Sequence, residues 1–181
     1  MQTSGLPMGG VLSPLLSNIY MDFFEQLALT SFTTKPLCWF RYLEDVFCIW
    51  QNSTLPERFL NHLNSLRTTL KFTLEQEHKN QLPFLDVMVF KLDNNLETKV
   101  YKKPTSTGQY LNYYSNHAGN VKLALAHGLF KRALKYTSRE SDRKKEIQAV
   151  FHELKNNGYP NKVLNKALKK AQGNSINNNK D

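Results

Sequence analysis

The feature that most constrains the fold is an apolar run from Leu37 to Trp50 that carries two adjacent carboxylates near its middle. Its aromatic and β-branched residues, with no helix signals among them, predict two strands that meet at Leu43-Glu44. A two-residue turn there places Tyr42 opposite Asp45 and gives the hairpin two apolar faces. We therefore expect a hairpin buried on both faces, with Glu44 and Asp45 at its solvent-exposed tip.

Two adjacent carboxylates on one turn repel each other and resist ionising together unless a cation offsets their charge. A divalent metal ion held by carboxylates against a polyanion is the arrangement of two-metal phosphoryl-transfer sites. The alternative is an ordinary surface turn whose acidic side chains are only solvated. Arg41, which precedes the turn, is expected to cap the acidic tip, and the alternative is a contact to a nucleic-acid backbone.

The net charge of +9 is unevenly distributed along the chain. Residues 98–171 contain 16 Lys or Arg against 4 Asp or Glu, whereas the remainder contains 8 against 11. A basic half of this kind favours a polyanionic partner, most often nucleic acid, over an ordinary solvated surface. The sequence has no membrane-spanning run, no secretory signal pattern and no cysteine framework, so we expect an intracellular protein without a membrane partner.

Beyond the hairpin, hydrophobic periodicity predicts a mixed α+β chain. A helix is expected to begin at Ser13 and to bury one apolar face, made of Leu15, Ile19, Phe23 and Leu27. The other expected elements are a helix at 54–70, strands of an antiparallel meander at 72–77, 84–91 and 96–102, and three amphipathic helices after residue 120. Residues 172–181 are expected to form a disordered tail.

Four segments occur in an order that is typical of one family of polymerases. They read GLPMGGVLSPLLSNIYM, RYLEDVFCIW, QLPFLDVMVF and TKVYKKPTSTGQYLNYYSNH. Together they resemble the C-terminal part of a reverse transcriptase, closest to those of Penelope-like retroelements. The resemblance covers roughly residues 5–136. It implies a partial polymerase palm at 1–103, an antiparallel sheet with packed helices, followed by a connecting loop and a basic helical thumb at 104–171.

The resemblance also implies a metal site for RNA-directed DNA synthesis. Asp45 and Glu44 would hold two Mg²⁺ ions that activate a primer 3′-hydroxyl and stabilise the leaving pyrophosphate. Glu44 stands where the family has aspartate, and its carboxylate lies about one methylene further out, on the order of 1 Å. The family's third metal carboxylate precedes the glycine segment, and this sequence starts four residues before Gly5. Whether the chain is an enzyme is left open.

Further residues are implied in binding the nucleotide and template. Pro7, Gly9 and Gly10 would let the backbone approach a nucleotide, although a tight turn before a helix explains them equally well. Tyr42 would lie near the primer end or belong to the core. Lys79 would protonate pyrophosphate as a general acid, or would simply be a solvated lysine in a polar turn.

Contacts to the nucleic-acid backbone are expected from the basic half of the chain. The candidates are Lys102, Lys103, Lys131, Arg132, Lys135, Arg143, Lys144 and Lys145. Asp86 follows the family pattern in FLDV, with either a functional or a structural role. The expected partners are an RNA template, a DNA primer or their RNA–DNA duplex, and the expected location is the nucleus. The alternatives are a nucleic-acid-binding module without catalysis and a non-functional retroelement relic.

One prediction concerns activity. We expect that this chain alone does not extend a primer on an RNA template with Mg²⁺ or Mn²⁺, and that Glu44→Asp does not restore extension, because repairing one ligand leaves the implied set of three carboxylates incomplete. A primer-extension assay with the purified chain measures this. Templated, metal-dependent incorporation of nucleotides by the wild-type chain would contradict the prediction.

Overall fold

The computed structural model describes residues 5–7, 9–93 and 95–176, the last three by their backbone alone. These residues form five helices and two antiparallel sheets, which confirms the predicted α+β class. In chain order the elements are α1 (Ser13–Ser31), β1 (Cys38–Tyr42), β2 (Asp45–Ile49), α2 (Leu55–Leu66), β3 (Gln81–Phe84), β4 (Val87–Leu92), β5 (Asn95–Val100), α3 (Gly119–Tyr136), α4 (Glu140–Asn156) and α5 (Asn161–Ile176). The chain divides into two compact units, Met1–Gln76 and Glu77–Asp181.

In the first unit, β1 and β2 form the predicted hairpin in the predicted register. Tyr42 lies opposite Asp45, and Leu43 closes the turn with a φ of +54°. The prediction that both faces are buried was wrong, because Phe40 is 65% exposed. The core of this unit, built from α1 and α2, packs against the face that carries Trp39, and the described residues leave Phe40 on the other face uncovered.

Helix α1 begins at Ser13, as predicted, but buries a different face. Phe24 and Ala28 are each 1% exposed and form the core with α2. Leu15, Ile19 and Phe23 of the predicted face are 58%, 59% and 59% exposed, so that prediction was wrong. Apolar residues surround much of this helix, and periodicity alone does not decide which of several apolar faces packs.

The segment after α2 departs from the prediction. Helix α2 ends at Leu66 because Arg67 is extended, with φ −147° and ψ 127°. The predicted strand at 72–77 was wrong, since these residues pair with no strand in the described part of the chain. The side chain of Asn64 instead binds the backbone of Phe72, accepting from its N–H at 2.8 Å and donating to its carbonyl at 3.1 Å. One side chain thereby satisfies both polar groups that a neighbouring strand would have paired.

The second unit begins with a three-stranded antiparallel sheet in the order β3-β4-β5. The predicted single strand at 84–91 is interrupted, because the chain turns at Leu85, where φ is +53°. The link between α3 and α4 anchors this sheet: the Ser138 N–H donates to Thr98 O at 3.0 Å, and Ser138 Oγ accepts from the Thr98 N–H at 2.9 Å. The sheet therefore belongs to the same compact unit as the helices, and the first unit ends at Gln76.

Helices α3, α4 and α5 confirm the three amphipathic helices expected after residue 120. Their shared core is built from small and large apolar side chains: Ala126, Phe130, Ala133, Val150, Leu154, Tyr159, Leu164, Ala167 and Ala171. The alanines of α3 and α5 allow the two helices to approach closely. Helix α5 continues to Ile176 and so overlaps the start of the predicted tail, of which residues 177–181 lie outside the described part.

The connection from α4 to α5 is a four-residue turn that the sequence determines locally. The Gly158 N–H donates to Lys155 O at 2.9 Å and the Tyr159 N–H to Leu154 O at 3.1 Å, which is the hydrogen-bond pattern of a Schellman motif. Gly158 takes a φ of +85°, and a Cβ there would lie 2.9 Å from the Tyr114 ring. Glycine is therefore required both by the positive φ and by the closeness of the Tyr114 ring. Pro160 ends the turn, and α5 begins at the next residue.

Asn157 joins this turn to the loop that precedes α3. Its Nδ2 donates to Gly108 O at 2.9 Å and to Glu153 O at 2.8 Å, and its Oδ1 accepts from the Tyr110 N–H at 3.0 Å. Its backbone carbonyl accepts a further bond from the Tyr113 N–H at 2.9 Å. A half-buried side chain thus satisfies backbone groups of two segments that are about fifty residues apart in sequence.

We predict that Asn157→Ala lowers the free energy of unfolding by about 1–3 kcal/mol, because it leaves the Tyr110 N–H and the Gly108 carbonyl without their partner. Denaturant titration followed by circular dichroism at 222 nm measures the change. Asn156→Ala is the matched control, since that neighbouring asparagine is exposed and bonds only His152. Equal losses for the two variants would contradict a special role for Asn157.

Candidate functional site

The acidic tip of the hairpin is where the sequence predicted it. Glu44 and Asp45 are both exposed, and within the described residues neither carboxylate makes a hydrogen bond or an ion pair. No three His, Cys, Asp or Glu side chains of the described residues lie together as a metal-binding group. Two exposed carboxylates nevertheless suit Mg²⁺, which is commonly bound by one or two carboxylates together with waters and phosphate oxygens.

Arg41 Nη1 donates to the Leu43 carbonyl of the turn at 3.4 Å, but among the described residues its ion pair is with Glu25, so the prediction that Arg41 caps the tip carboxylates was wrong. Its Nε donates to Glu25 Oε1 at 2.7 Å, and its Nη1 donates to Asn18 Oδ1 at 3.1 Å. The same Glu25 oxygen accepts from Trp39 Nε1 at 3.0 Å. The side chain of Arg41 is 15% exposed and that of Glu25 is 13% exposed. Glu25, which sequence reasoning missed, therefore anchors the hairpin to α1.

The glycine segment forms a tight turn ahead of α1. The Gly10 N–H donates to Pro7 O at 3.2 Å, and Ser13 Oγ donates to the same oxygen at 2.7 Å. Gly9 has a φ of +80°, and a Cβ on Gly10 would meet Ser13 Oγ at 2.6 Å. The turn alternative accounts for both glycines. Tyr42 is 60% exposed, which excludes the alternative that it belongs to the core.

Lys79 and Asp86 both lie in turns of the second unit. Lys79 and Asn80 have φ values of +52° and +59°, and they link His78 to Gln81 in a two-residue turn of the I′ type. Asp86 lies in the turn between β3 and β4, where its carboxylate faces Arg132 Nη2 at 3.2 Å. Asp86 therefore has a structural contact to α3, while Lys79 is an exposed lysine in the first turn of the unit.

Lys102 is engaged by two carboxylates of α4. Its Nζ lies 2.8 Å from Glu153 Oε1 and 3.2 Å from Glu146 Oε1. Burial lowers the pKa of Lys102, but the hydrogen bond to Glu153 and the charge of Glu146 outweigh it and raise the pKa above the ordinary value. Tyr110 donates to the second Glu153 oxygen at 3.3 Å. The charge of Lys102 is thus already compensated within the protein.

Several of the other predicted backbone contacts also have partners within the unit. Arg143 donates from Nε and Nη2 to Thr137 O at 3.0 and 2.9 Å and caps the end of α3. Lys144 pairs with Glu140 at 2.7 Å, and Lys145 lies 3.9 Å from Asp142. Arg143 is engaged by backbone carbonyls, and Lys144 and Lys145 lie near carboxylates. These internal partners weaken the attraction of the three cations for an external phosphate.

A second group of cations is exposed and unpaired among the described residues. Lys103, Lys131 and Lys135 belong to it and were predicted. Sequence reasoning missed its α5 members, which are Lys162, Lys166, Lys169 and Lys170. The signal was present in the sequence, since residues 161–176 contain four lysines and no acidic residue. All four acidic residues of 98–171 lie on α4, and α3 and α5 contain none, so among their described cations only Arg132, which pairs with Asp86, has a carboxylate partner.

The side chain of His127 lies where positive charges from both α3 and α5 affect its pKa. Its Nε2 is buried and has no hydrogen-bond partner among the described residues. Burial lowers the pKa of His127, and the charges of Lys170 on α5 and Lys131 on α3 lower it further. Two lysines from different helices therefore lie close enough to influence one imidazole.

Residues 109–169 match the family model of an animal helix-turn-helix domain. The matched segment starts in the loop before α3 and ends within α5. No curated protein and no solved structure matches the chain. Helix-turn-helix domains bind nucleic acid, so the match favours nucleic acid as the partner of this part of the chain. No helix in the described residues has the length and apolar character that would let it cross a membrane.

We predict that Glu25→Ala lowers the free energy of unfolding of the first unit by about 2 kcal/mol, because it leaves a mostly buried guanidinium without its anion. Tryptophan fluorescence during denaturant titration measures this unit alone, since both tryptophans of the chain, Trp39 and Trp50, lie in it. Asp22→Ala removes an exposed carboxylate from the same helix and should cost less than about 0.5 kcal/mol. Equal effects of the two substitutions would contradict the anchoring role of Glu25.

Proposed function

We propose that the chain binds duplex nucleic acid through the unpaired lysines of α3 and α5. The observation that carries this proposal is the segregation of charge: every acidic residue of 98–171 lies on α4, whereas α3 and α5 have none. A positive surface without internal carboxylates attracts phosphates, and each phosphate that it neutralises releases counterions. The family match at 109–169, which includes α3 and the first part of α5, supports the same partner.

We further propose that the chain derives from a reverse transcriptase of a Penelope-like retroelement and that it belongs in the nucleus. The sequence resemblance supports this proposal, together with the hairpin that presents Glu44 and Asp45 at its tip. Those carboxylates would hold Mg²⁺, which would supply Lewis acidity towards phosphate oxygens when bound. The resemblance gives a duplex of RNA template and DNA primer as a partner. The lysines would contact phosphates, and every nucleic-acid duplex carries phosphates, so these contacts do not distinguish the RNA–DNA duplex from other duplexes.

We predict that Lys131→Gln combined with Lys135→Gln flattens the slope of log affinity against log salt concentration by about 2, because each lost phosphate contact removes roughly 0.9 from the slope. Binding of the full chain to a fluorescent duplex of random sequence at several salt concentrations measures this slope. This double variant should bind all duplex sequences more weakly and to the same extent, since phosphate contacts carry no sequence information.

Lys144→Gln combined with Lys145→Gln is the matched control, because it removes the same charge from lysines that face Glu140 and Asp142. We expect it to flatten the slope by less than about 1. An affinity that does not depend on salt, or an equal effect of the two double substitutions, would contradict the proposed surface.

A further inference from the structure

The second unit contains a cavity of about 320 Å³, lined by residues of β5, α3 and α4 and of the loop after β5. Its apolar and aromatic lining consists of Leu85, Val100, Tyr101, Tyr110, Leu129 and Val150. Small-molecule sites are mostly apolar cavities of roughly 300–1,000 Å³ with a few polar groups that orient the ligand. The cavity is therefore at the lower end of the range for such a site and suits a ligand the size of a single nucleotide.

Arg132 of α3 brings hydrogen-bond donors without a partner to this cavity. Its Nη2 faces Asp86 Oδ1 at 3.2 Å, and the guanidinium makes no second hydrogen bond or ion pair among the described residues. Its Nε is buried and has no acceptor there. A guanidinium carries five N–H donors in a planar fork whose geometry matches a phosphate. Arg132 can therefore bind an anion and keep its ion pair with Asp86.

The turn after β5 adds three polar side chains to the lining. The Ser106 N–H donates to Lys103 O at 2.8 Å, which closes a turn around Pro104. The side chains of Lys103, Thr105 and Ser106 line the cavity and are without a hydrogen bond or ion pair in the described part of the chain. An ammonium group and two hydroxyls can all donate to phosphate oxygens.

The other charged groups of the lining are compensated within the protein. Asp86 faces the guanidinium described above, and Glu146 faces Lys102 Nζ at 3.2 Å. Glu153, the second carboxylate on Lys102, does not line the cavity. Lys103 is then the lining cation that no described carboxylate compensates. The cavity therefore favours an anionic ligand.

Tyr110 places an aromatic ring close to these cations. Burial and the charge of Glu153 raise the pKa of its hydroxyl, whereas the charges of Lys102 and Arg132 oppose that rise. The hydroxyl donates to Glu153 Oε2 at 3.3 Å, which holds the ring in place. Unpaired bases stack on aromatic side chains. A nucleotide combines the two groups that this cavity suits, an anionic phosphate and a flat base.

We propose that the cavity binds one unpaired nucleotide, with its phosphate on Arg132, Lys103 and the Ser106 hydroxyl and its base against Tyr110. The nucleotide is either a free mononucleotide or the unpaired end of a strand, and the two present the same chemistry. The inference does not depend on the proposed function, because none of the lysines proposed to bind a duplex lines the cavity.

Equilibrium dialysis of the full chain against each of the four nucleoside monophosphates measures binding, with the matching nucleoside and inorganic phosphate as competitors. We expect a Kd of about 1 mM or below for at least one nucleotide. The nucleotide should bind at least about tenfold more tightly than either competitor, since each competitor makes only part of the contacts. Equal affinity for the nucleotide and one competitor would overturn the proposal.

Three substitutions test the phosphate contacts. Lys103→Gln and Ser106→Ala change exposed side chains, so circular dichroism should be unchanged, and each should raise the Kd of the nucleotide by about 3- to 10-fold. Arg132→Lys keeps the charge that faces Asp86 but removes the fork, and it should raise the Kd at least about fivefold. Lys91→Gln is the matched control, because Lys91 is exposed on β4 and does not line the cavity. It should change the Kd by less than about twofold.

A duplex with a one-nucleotide, 5′-phosphorylated overhang, compared with a blunt duplex, distinguishes the two sources of the nucleotide. Tighter binding of the overhang duplex, reversed by the free nucleotide, assigns the cavity to strand ends. Binding of the free nucleotide with equal affinity for both duplexes assigns the cavity to mononucleotides. Either result supports the site.

The outcomes also separate this inference from the proposed function. Lys131→Gln combined with Lys135→Gln should weaken duplex binding and change the Kd of the free nucleotide by less than about twofold, because neither lysine lines the cavity. Failure of all four nucleoside monophosphates to bind at millimolar concentration, or equal effects of Lys91→Gln and Lys103→Gln, would overturn the nucleotide site and leave the duplex surface intact.

Discussion

The second unit depends on the way one side-chain amide, that of Asn157, satisfies backbone groups from a distant loop. Its bonds to Gly108 and Tyr110 hold the loop before α3 against the turn that begins α5. Because these groups are partly shielded from water, leaving them unpaired would cost more than each bond contributes. The same region carries Glu153, which binds Lys102 and Tyr110, so loop, strand end and helix are held by one polar network.

Much of the local fold could be predicted because its determinants are adjacent in sequence. The hairpin register followed from alternating side chains and a two-residue turn, since a shift by one residue would exchange the two faces of the strands. The turn before α5 likewise depends on two residues that are adjacent to it in sequence, Gly158 and Pro160. The failures concern partners that are distant in sequence. Phe72 is bound by a side chain of α2 instead of a strand, and α1 had several apolar faces among which only tertiary packing decides.

The functional surface was predictable as a charge excess, but not residue by residue. The sequence shows sixteen cations in its basic half and does not show which of them are compensated. Lys102 is neutralised by carboxylates more than forty residues further along the chain, and Arg132 is paired with the turn before β4. Arg41 likewise forms an ion pair with Glu25 of α1. Long-range pairing thus compensates Lys102 and Arg132, and it leaves Lys131 and Lys135 of α3 and the lysines of α5 without a carboxylate partner among the described residues.

The isolation of Glu44 and Asp45 at the hairpin tip has a consequence for how this chain evolves. Neither carboxylate bonds any described residue, while the hairpin is anchored elsewhere, through Glu25, Arg41 and Trp39. Folding therefore exerts almost no selection on the identity of the two tip residues. Substitutions there do not destabilise the hairpin, so chaperones and proteases, which respond to instability, do not select against them. Either carboxylate could therefore be lost by drift while the hairpin stays intact.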